Sequence, residues 1–191
     1  MPPDRLFHGD LVRLAAPRPE DAAVLSRWSE DGEYRRLADT DAPRPLPTEF
    51  FGERDQVAEA SPTAFEFRIR TIADDRLVGF VAVFSIEWTN GHGWIAAGIG
   101  DARDRGKGFG KEALSLTLRF AFHELGLRRV ALDVIATNEA AIGLYRNLGF
   151  LEEGRMRERV LRDGRSSDLI YMGLLRRNWE ARLPRPPAMG A

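Results

Sequence analysis

Residues 105–113 read Arg105-Gly106-Lys107-Gly108-Phe109-Gly110-Lys111-Glu112-Ala113, with three glycines spaced among basic residues just ahead of an apolar-periodic run. Glycine lets backbone N–H groups turn toward a ligand with no side chain in the way. A helix start adds unpaired donors and a partial positive charge. Arg105, Lys107 and Lys111 add full charges. A loop of this build binds a diphosphate, and a helix has to follow it.

Upstream, Leu11, Val12 and Leu14 predict a short strand stopped by Ala16-Pro17-Arg18-Pro19. Glu20 and Asp21 then open a helix through Ala22, Leu25 and Trp28. Gly32, Pro43, Pro45 and Pro47 make 31–47 a loop with at most a short helix, and Thr48 is placed to cap a second helix to about residue 60. From Phe65 the period changes to two. Phe65, Phe67 and Ile69 alternate with polar residues, Ala73-Asp74-Asp75 turns the chain, and 77–86 reads as a buried strand. Asn90-Gly91 predicts a two-residue hairpin turn into a strand over 94–100. Four strands in succession give an antiparallel meander.

The second half alternates. A helix is predicted over 108–125 with Gly126 as its left-handed cap, followed by a strand over 130–135. Asn138 caps the next helix, where Ala141, Leu144, Tyr145 and Leu148 share one face, and Gly149 ends it. Strands over 150–161 and 165–174 are joined by Asp163-Gly164. We expect one domain over 1–180 and a frayed tail over 181–191.

A formal net charge of -1 argues against a nucleic-acid surface. The absence of cysteine excludes disulfides, thiol nucleophiles and thiolate metal sites. His8, His92 and His123 lack the spacing of a metal site or a triad, so no metal is expected. The start Met1-Pro2-Pro3-Asp4-Arg5 has no apolar signal region, and no apolar run is long enough to span a bilayer. The expectation is a cytoplasmic protein with no membrane partner.

Three glycine-loop chemistries compete for 105–113. A nucleotide-hydrolase loop fails, because only three residues separate Gly106 from Gly110-Lys111 and Glu112 stands where a magnesium-binding hydroxyl belongs. A dinucleotide fingerprint matches at Gly108, Gly110 and Ala113, with Asp133 further on. However, the polar run 101–105 separates strand from glycines, and the surrounding meander and hairpin are not βαβ units. The third reading takes Arg105-x-x-Gly108-x-Gly110 as an R/Q-x-x-G-x-G/A loop. That loop resembles the pyrophosphate signature of the GCN5-related N-acetyltransferase (GNAT) family. Asn138-x-x-Ala141-x-x-Leu144-Tyr145-x-x-x-Gly149-Phe150 resembles the family's second acetyl-CoA motif. The likeness spans about 9–180 and is nearest the RimJ/RimL branch, which acetylates protein N-termini. Leu11-Val12-Arg13-Leu14, Pro19-Glu20-Asp21 and Leu161-Arg162-Asp163-Gly164-Arg165 are shared with that branch.

The resemblance implies an α/β (α+β) fold. Its central sheet would be mixed, largely antiparallel and of about seven strands, with flanking helices and a V-shaped split between the fourth and fifth strands. Acetyl-CoA would lie in the split, where pantetheine amides can pair with open strand edges. Gly98, Ile99 and Gly100 would meet the thioester and pantetheine. Arg105, Gly106, Lys107, Gly108, Phe109, Gly110 and Lys111 would hold the pyrophosphate, and Asn138, Ala141 and Tyr145 would complete the cofactor site.

The catalytic candidates are Tyr145, as the acid protonating the departing sulfur, and Asp133, as a carboxylate base beside the cofactor. Glu87 and Glu66 are rival bases. Either catalytic candidate can also be read as structural, Tyr145 as a core aromatic and Asp133 as a strand-end residue. The function expected is transfer of an acetyl group to a primary amine, with a protein N-terminal amine as the first acceptor. The alternatives are a polyamine, aminoglycoside or amino-acid N-acetyltransferase and a non-catalytic acyl-CoA sensor. A homodimer is the assembly the resemblance suggests. The acceptor would be read by 20–60, the 87–93 turn and the last hairpin, the segments least like any motif.

Overall fold

The alternating apolar pattern of the first half builds the sheet in order. A computed structural model describes residues 5–183 of the chain. Strand β1 (Val12–Ala15) is followed by helices α1 (Asp21–Ser29), α2 (Gly32–Ala38) and α3 (Thr48–Glu59). Next come β2 (Phe65–Thr71), β3 (Leu77–Glu87) and β4 (His92–Ile99). The second half runs α4 (Phe109–Arg119), β5 (Arg129–Ile135), α5 (Glu139–Leu148), β6 (Leu151–Arg162), β7 (Arg165–Leu175) and α6 (Arg176–Glu180). The sheet has seven strands in the order β1-β2-β3-β4-β5-β7-β6. Every neighbouring pair is antiparallel except β4 and β5.

That one parallel pair opens the sheet. β4 and β5 are in register only at His92↔Arg129, Gly93↔Val130 and Trp94↔Ala131. Beyond Trp94 the strands part, while β4 stays paired with β3 as far as Ile99 and β5 with β7 as far as Ile135. The split expected between the fourth and fifth strands is therefore present.

The two hairpin turns differ from each other. Arg162 pairs directly with Arg165, and Asp163 and Gly164 both take positive φ, as a two-residue turn requires. The Asn90-Gly91 turn is longer than the sequence predicts. Four residues, 88–91, separate Glu87 from His92, and only Gly91 has positive φ. A register shift after Phe84, with Ser85 at φ 48°, moves the end of β3 out of step and lengthens the loop. Thr48 likewise lies inside α3, whose cap position is Pro47.

The core lies between the sheet and α4, whose Ala113, Leu114, Leu116, Thr117 and Leu118 are buried. Burial of each such leucine contributes about 1.5–3 kcal/mol. A π turn (Phe120–Glu124) extends α4 and sets the Phe120 ring against Phe7, Phe65 and Phe67. Beneath α1 and α3, Arg68 is fully buried and donates to Asp55 and to Glu66 at 2.6 Å, while Arg70 bonds Asp21. The expected tail over 181–191 lies outside the described residues from 184 onward. Among the described residues no helix is long and apolar enough to cross a membrane.

Candidate active site in the split of the sheet

Register decides which backbone groups are free in the split. The Gly100 N–H bonds to Val78 O at 3.1 Å, so the even-numbered residues of β4 point their N–H and C=O groups at β3. The odd-numbered Ile95, Ala97 and Ile99 then point theirs toward β5, which stays paired as far as Trp94↔Ala131, reaching the Ile95 N–H, and then parts from β4. On the facing strand, Arg176 N–H bonds to Arg128 O, so the even-numbered residues of β5 serve β7 and Asp133 presents its backbone to the gap. Buried main-chain groups require partners, so the gap is shaped for an extended ligand carrying amides.

A cleft of about 940 Å³ fills the gap. Of the residues singled out by the sequence, Gly98, Ile99, Arg105, Gly106, Gly108, Phe109, Gly110, Lys111, Asp133, Asn138, Ala141 and Tyr145 line it. Gly100 and Lys107 do not. The Trp28 ring occupies the space where a Gly100 Cβ would stand, and both Gly100 backbone groups are paired within the protein. Its lack of a side chain thus serves packing. Lys107 Nζ lies 3.4 Å from buried Asp104, which Arg76 also grips. Gly98 turns its backbone to β3 and leaves room instead, since a Cβ there would come within 2.9 Å of the Tyr34 hydroxyl.

At one end of the cleft, Gly108 takes φ 89° as the N-cap of α4 and offers no side-chain cap. The first intrahelical bond runs from Glu112 N–H to Gly108 O, which leaves the Phe109, Gly110 and Lys111 N–H groups without helical partners. With Lys111 beside them they present unpaired donors and a positive charge to the cleft, a chemistry suited to an anion. The Glu112 side chain reaches away from it and accepts the N–H groups of Asp10, Leu11 and Val12 at 2.7–2.8 Å, fastening α4 to the start of β1. The Arg105 guanidinium is already engaged. It donates to Ile99 O and Gly100 O, pairs with Asp31 at 3.2 Å and lies 5.6 Å from the Tyr34 ring centre. What Arg105 offers the cleft is the loop it holds in place.

At the other end, α5 begins at Asn138, whose Oδ1 accepts from Ala141 N–H at 3.2 Å. One turn on, Tyr145 is nine-tenths buried against Phe150. Its hydroxyl has no hydrogen-bond partner among the described residues. Burial, with the charge of Asp133 adding to it, pushes that hydroxyl up to about 12. Asp133 is itself held above the usual carboxylate range, first by its protein surroundings and then by the negative charge of Asp39. The rival bases lie elsewhere, Glu66 paired with Arg54 and Arg68 and Glu87 accepting from Asn90.

The sequence reading allowed a short helix within 31–47 but named none of its residues for the cleft. Glu33, Tyr34 and Leu37 of α2, with Asp39 just past its end, form one wall of the cleft, although the helix buries no residue. Asp31 caps it by accepting from Glu33 and Tyr34 N–H, an Asp–x–Glu start legible in hindsight.

Comparison with known proteins agrees with this geometry. Residues 12–151 match a family model described as an acetyltransferase (GNAT) domain. The chain is 32% identical over 174 residues to the "SPbeta prophage-derived uncharacterized N-acetyltransferase YokL" of Bacillus subtilis, covering 90% of this chain and 94% of that protein. It is 34% identical over 171 residues to the "Putative ribosomal N-acetyltransferase YdaF" of the same organism, covering 90% and 88%. In fold it is similar to a spermidine N-acetyltransferase from Vibrio cholerae solved with CoA and spermine, at a TM-score of 0.81 and 21% identity, over 90% of this chain and 99% of that one.

Proposed function

Because the chain belongs to the GNAT acetyltransferase family and is an acetyl-CoA-dependent N-acetyltransferase, we propose that it acetylates a primary amine entering from the α2 side, with the thioester lying along β4. The observation that carries this reading is the row of backbone groups left free along β4, the Ile95 C=O, both groups of Ala97 and the Ile99 N–H, that leads to the uncapped start of α4. Pantetheine amides pair with the row, and the pyrophosphate takes the Phe109, Gly110 and Lys111 N–H groups.

In the reaction a neutral amine nitrogen attacks the thioester carbonyl and an N–C bond forms. The Ile99 N–H, which faces the gap, meets the developing oxyanion. Asp133 takes the proton leaving the amine nitrogen, directly or through a water, and its raised pKa makes it a stronger base than a free aspartate. As the C–S bond breaks, the Tyr145 hydroxyl protonates the departing sulfur. At pH 7 an ordinary lysine-like amine, with a pKa of about 10.4, is neutral only about once in 2,500 molecules, so the base matters most for such acceptors.

A protein N-terminal amine, suggested by the ribosomal name of one relative, and a polyamine, the substrate of the Vibrio cholerae enzyme of like fold, both meet this chemistry. Thiol release from acetyl-CoA on adding amines tests the reading. Amine-dependent release is expected. Tight coenzyme A binding with no release across an amine and peptide library would mark a sensor instead.

A further inference from the structure

About half of the carboxylates among the described residues have a basic partner within ion-pair distance. Asp21, Asp55, Glu66, Asp75, Asp104, Glu153 and Asp168 all lie in ion pairs. Glu33, Asp39 and Asp133 pair with no cation among the described residues, and all three line the same cleft. Asp39 is close enough to Asp133 to raise its pKa, and Arg159 is the one cation acting on Asp133 in the opposite sense, without forming an ion pair with it. The nine-tenths buried Tyr145 opens an unpartnered hydroxyl into the same space. An uncompensated negative wall beside an unpartnered hydroxyl oxygen, which can accept from an ammonium group, suits a cationic ligand.

The wall is also built to stay in place. From the tip of the β6–β7 hairpin, the Arg162 guanidinium donates to the carbonyls of Arg36 at 3.3 Å, Asp39 at 2.7 Å and Asp41 at 3.0 Å. Arg36 pairs in turn with Asp163 at 2.6 Å. Asn138 Nδ2 reaches Leu37 O at 3.5 Å from the far side. These bonds use backbone atoms of the α2 end and leave the Asp39 carboxylate with one partner, the Asp41 N–H at 3.2 Å.

We infer that the acceptor is a small polyamine, and that Asp39 and Glu33 read the positive charge it carries beyond the reacting amine. The inference rests on the acetyl-transfer reading and adds the acceptor's class and its specificity residues. The reacting nitrogen lies neutral at Asp133, while a second ammonium group along the same chain lies against the α2 wall. A monoamine, or a peptide N-terminus followed by neutral residues, leaves that wall unpaired.

The test is steady-state acetylation with butylamine, 1,4-diaminobutane, spermidine and a neutral-sequence peptide as acceptors, with coenzyme A binding measured alongside by calorimetry. The diamine and triamine should exceed butylamine and the peptide in kcat/KM by about tenfold, the scale of one partly screened charge pair. Asp39→Asn should shrink that ratio to about threefold or less, and Glu33→Gln, at an exposed position of α2, should act in the same direction. Equal use of monoamine and diamine, or a preference for the peptide, would overturn the inference and leave acetyl transfer standing. A ratio unchanged in both variants would overturn the assignment of Asp39 and Glu33. Failure to bind coenzyme A would overturn the transferase reading itself, and the inference with it.

Discussion

Asp133 and Tyr145 face the same cleft from neighbouring elements, and the charge of the carboxylate helps to hold the phenol protonated. A tyrosine raised to about 12 keeps its proton throughout the physiological range and so has one to give when the sulfur departs. Tyr145→Phe should therefore lower kcat by about 100-fold, the low end of the usual general-acid contribution. Calorimetry should show acetyl-CoA affinity little changed, since the ring still packs on Phe150. Unaltered turnover would remove the assigned role.

The Asp133 shift has a definite sign. Its pKa is raised above 3.8, so it stays protonated to higher pH than a free aspartate, and the carboxylate base appears only above that midpoint. Carboxyl-carbon NMR titration should place the midpoint above 3.8 in the native protein and lower it in Asp39→Asn, because the charge of Asp39 contributes to the rise. A native midpoint at or below 3.8 contradicts this electrostatic picture.

Gly108 is the residue on which the proposed pyrophosphate site turns. Its φ of 89° is costly for any side chain, and a Cβ would stand 3.3 Å from Leu11 Cδ1. Gly108→Val should abolish coenzyme A binding in calorimetry while circular dichroism stays native. Normal binding by the variant would show that the pyrophosphate lies elsewhere.

The buried ion network under α1 and α3 makes a prediction about stability. Arg68 is fully buried with Asp55 and Glu66 against it, so Arg68→Ala leaves Asp55 without its charge partner and Glu66 with Arg54 alone. Urea denaturation should report a loss of about 3–5 kcal/mol. A loss below about 1 kcal/mol would mean that solvent reaches the site.

Much of this was legible in the sequence because it was local. The glycines at 106, 108 and 110 marked the loop that lines one end of the cleft, and the helical spacing of Asn138, Ala141 and Tyr145 placed the opposite wall. What stayed hidden depends on distant partners. The segment 32–38 has no apolar face and buries nothing, so no periodicity betrayed α2 as a wall of the cleft. Register alone tells that Ala97 and Ile99 present free backbone where Gly98 and Gly100 do not, and no pattern along β4 carries that information. The Arg105 side chain looked like a phosphate ligand, but its charge is spent on Asp31 and two strand carbonyls.

Amide hydrogen exchange, read residue by residue with and without saturating coenzyme A, tests the central claim most directly. The Ala97 and Ile99 amides should exchange quickly in the free protein and slow sharply when the ligand binds, together with Phe109, Gly110 and Lys111. Ala96 and Gly98, already bonded to β3, should be slow in both states. Coenzyme A that binds while Ala97 and Ile99 continue to exchange as before would contradict the placement of the carrier in the split.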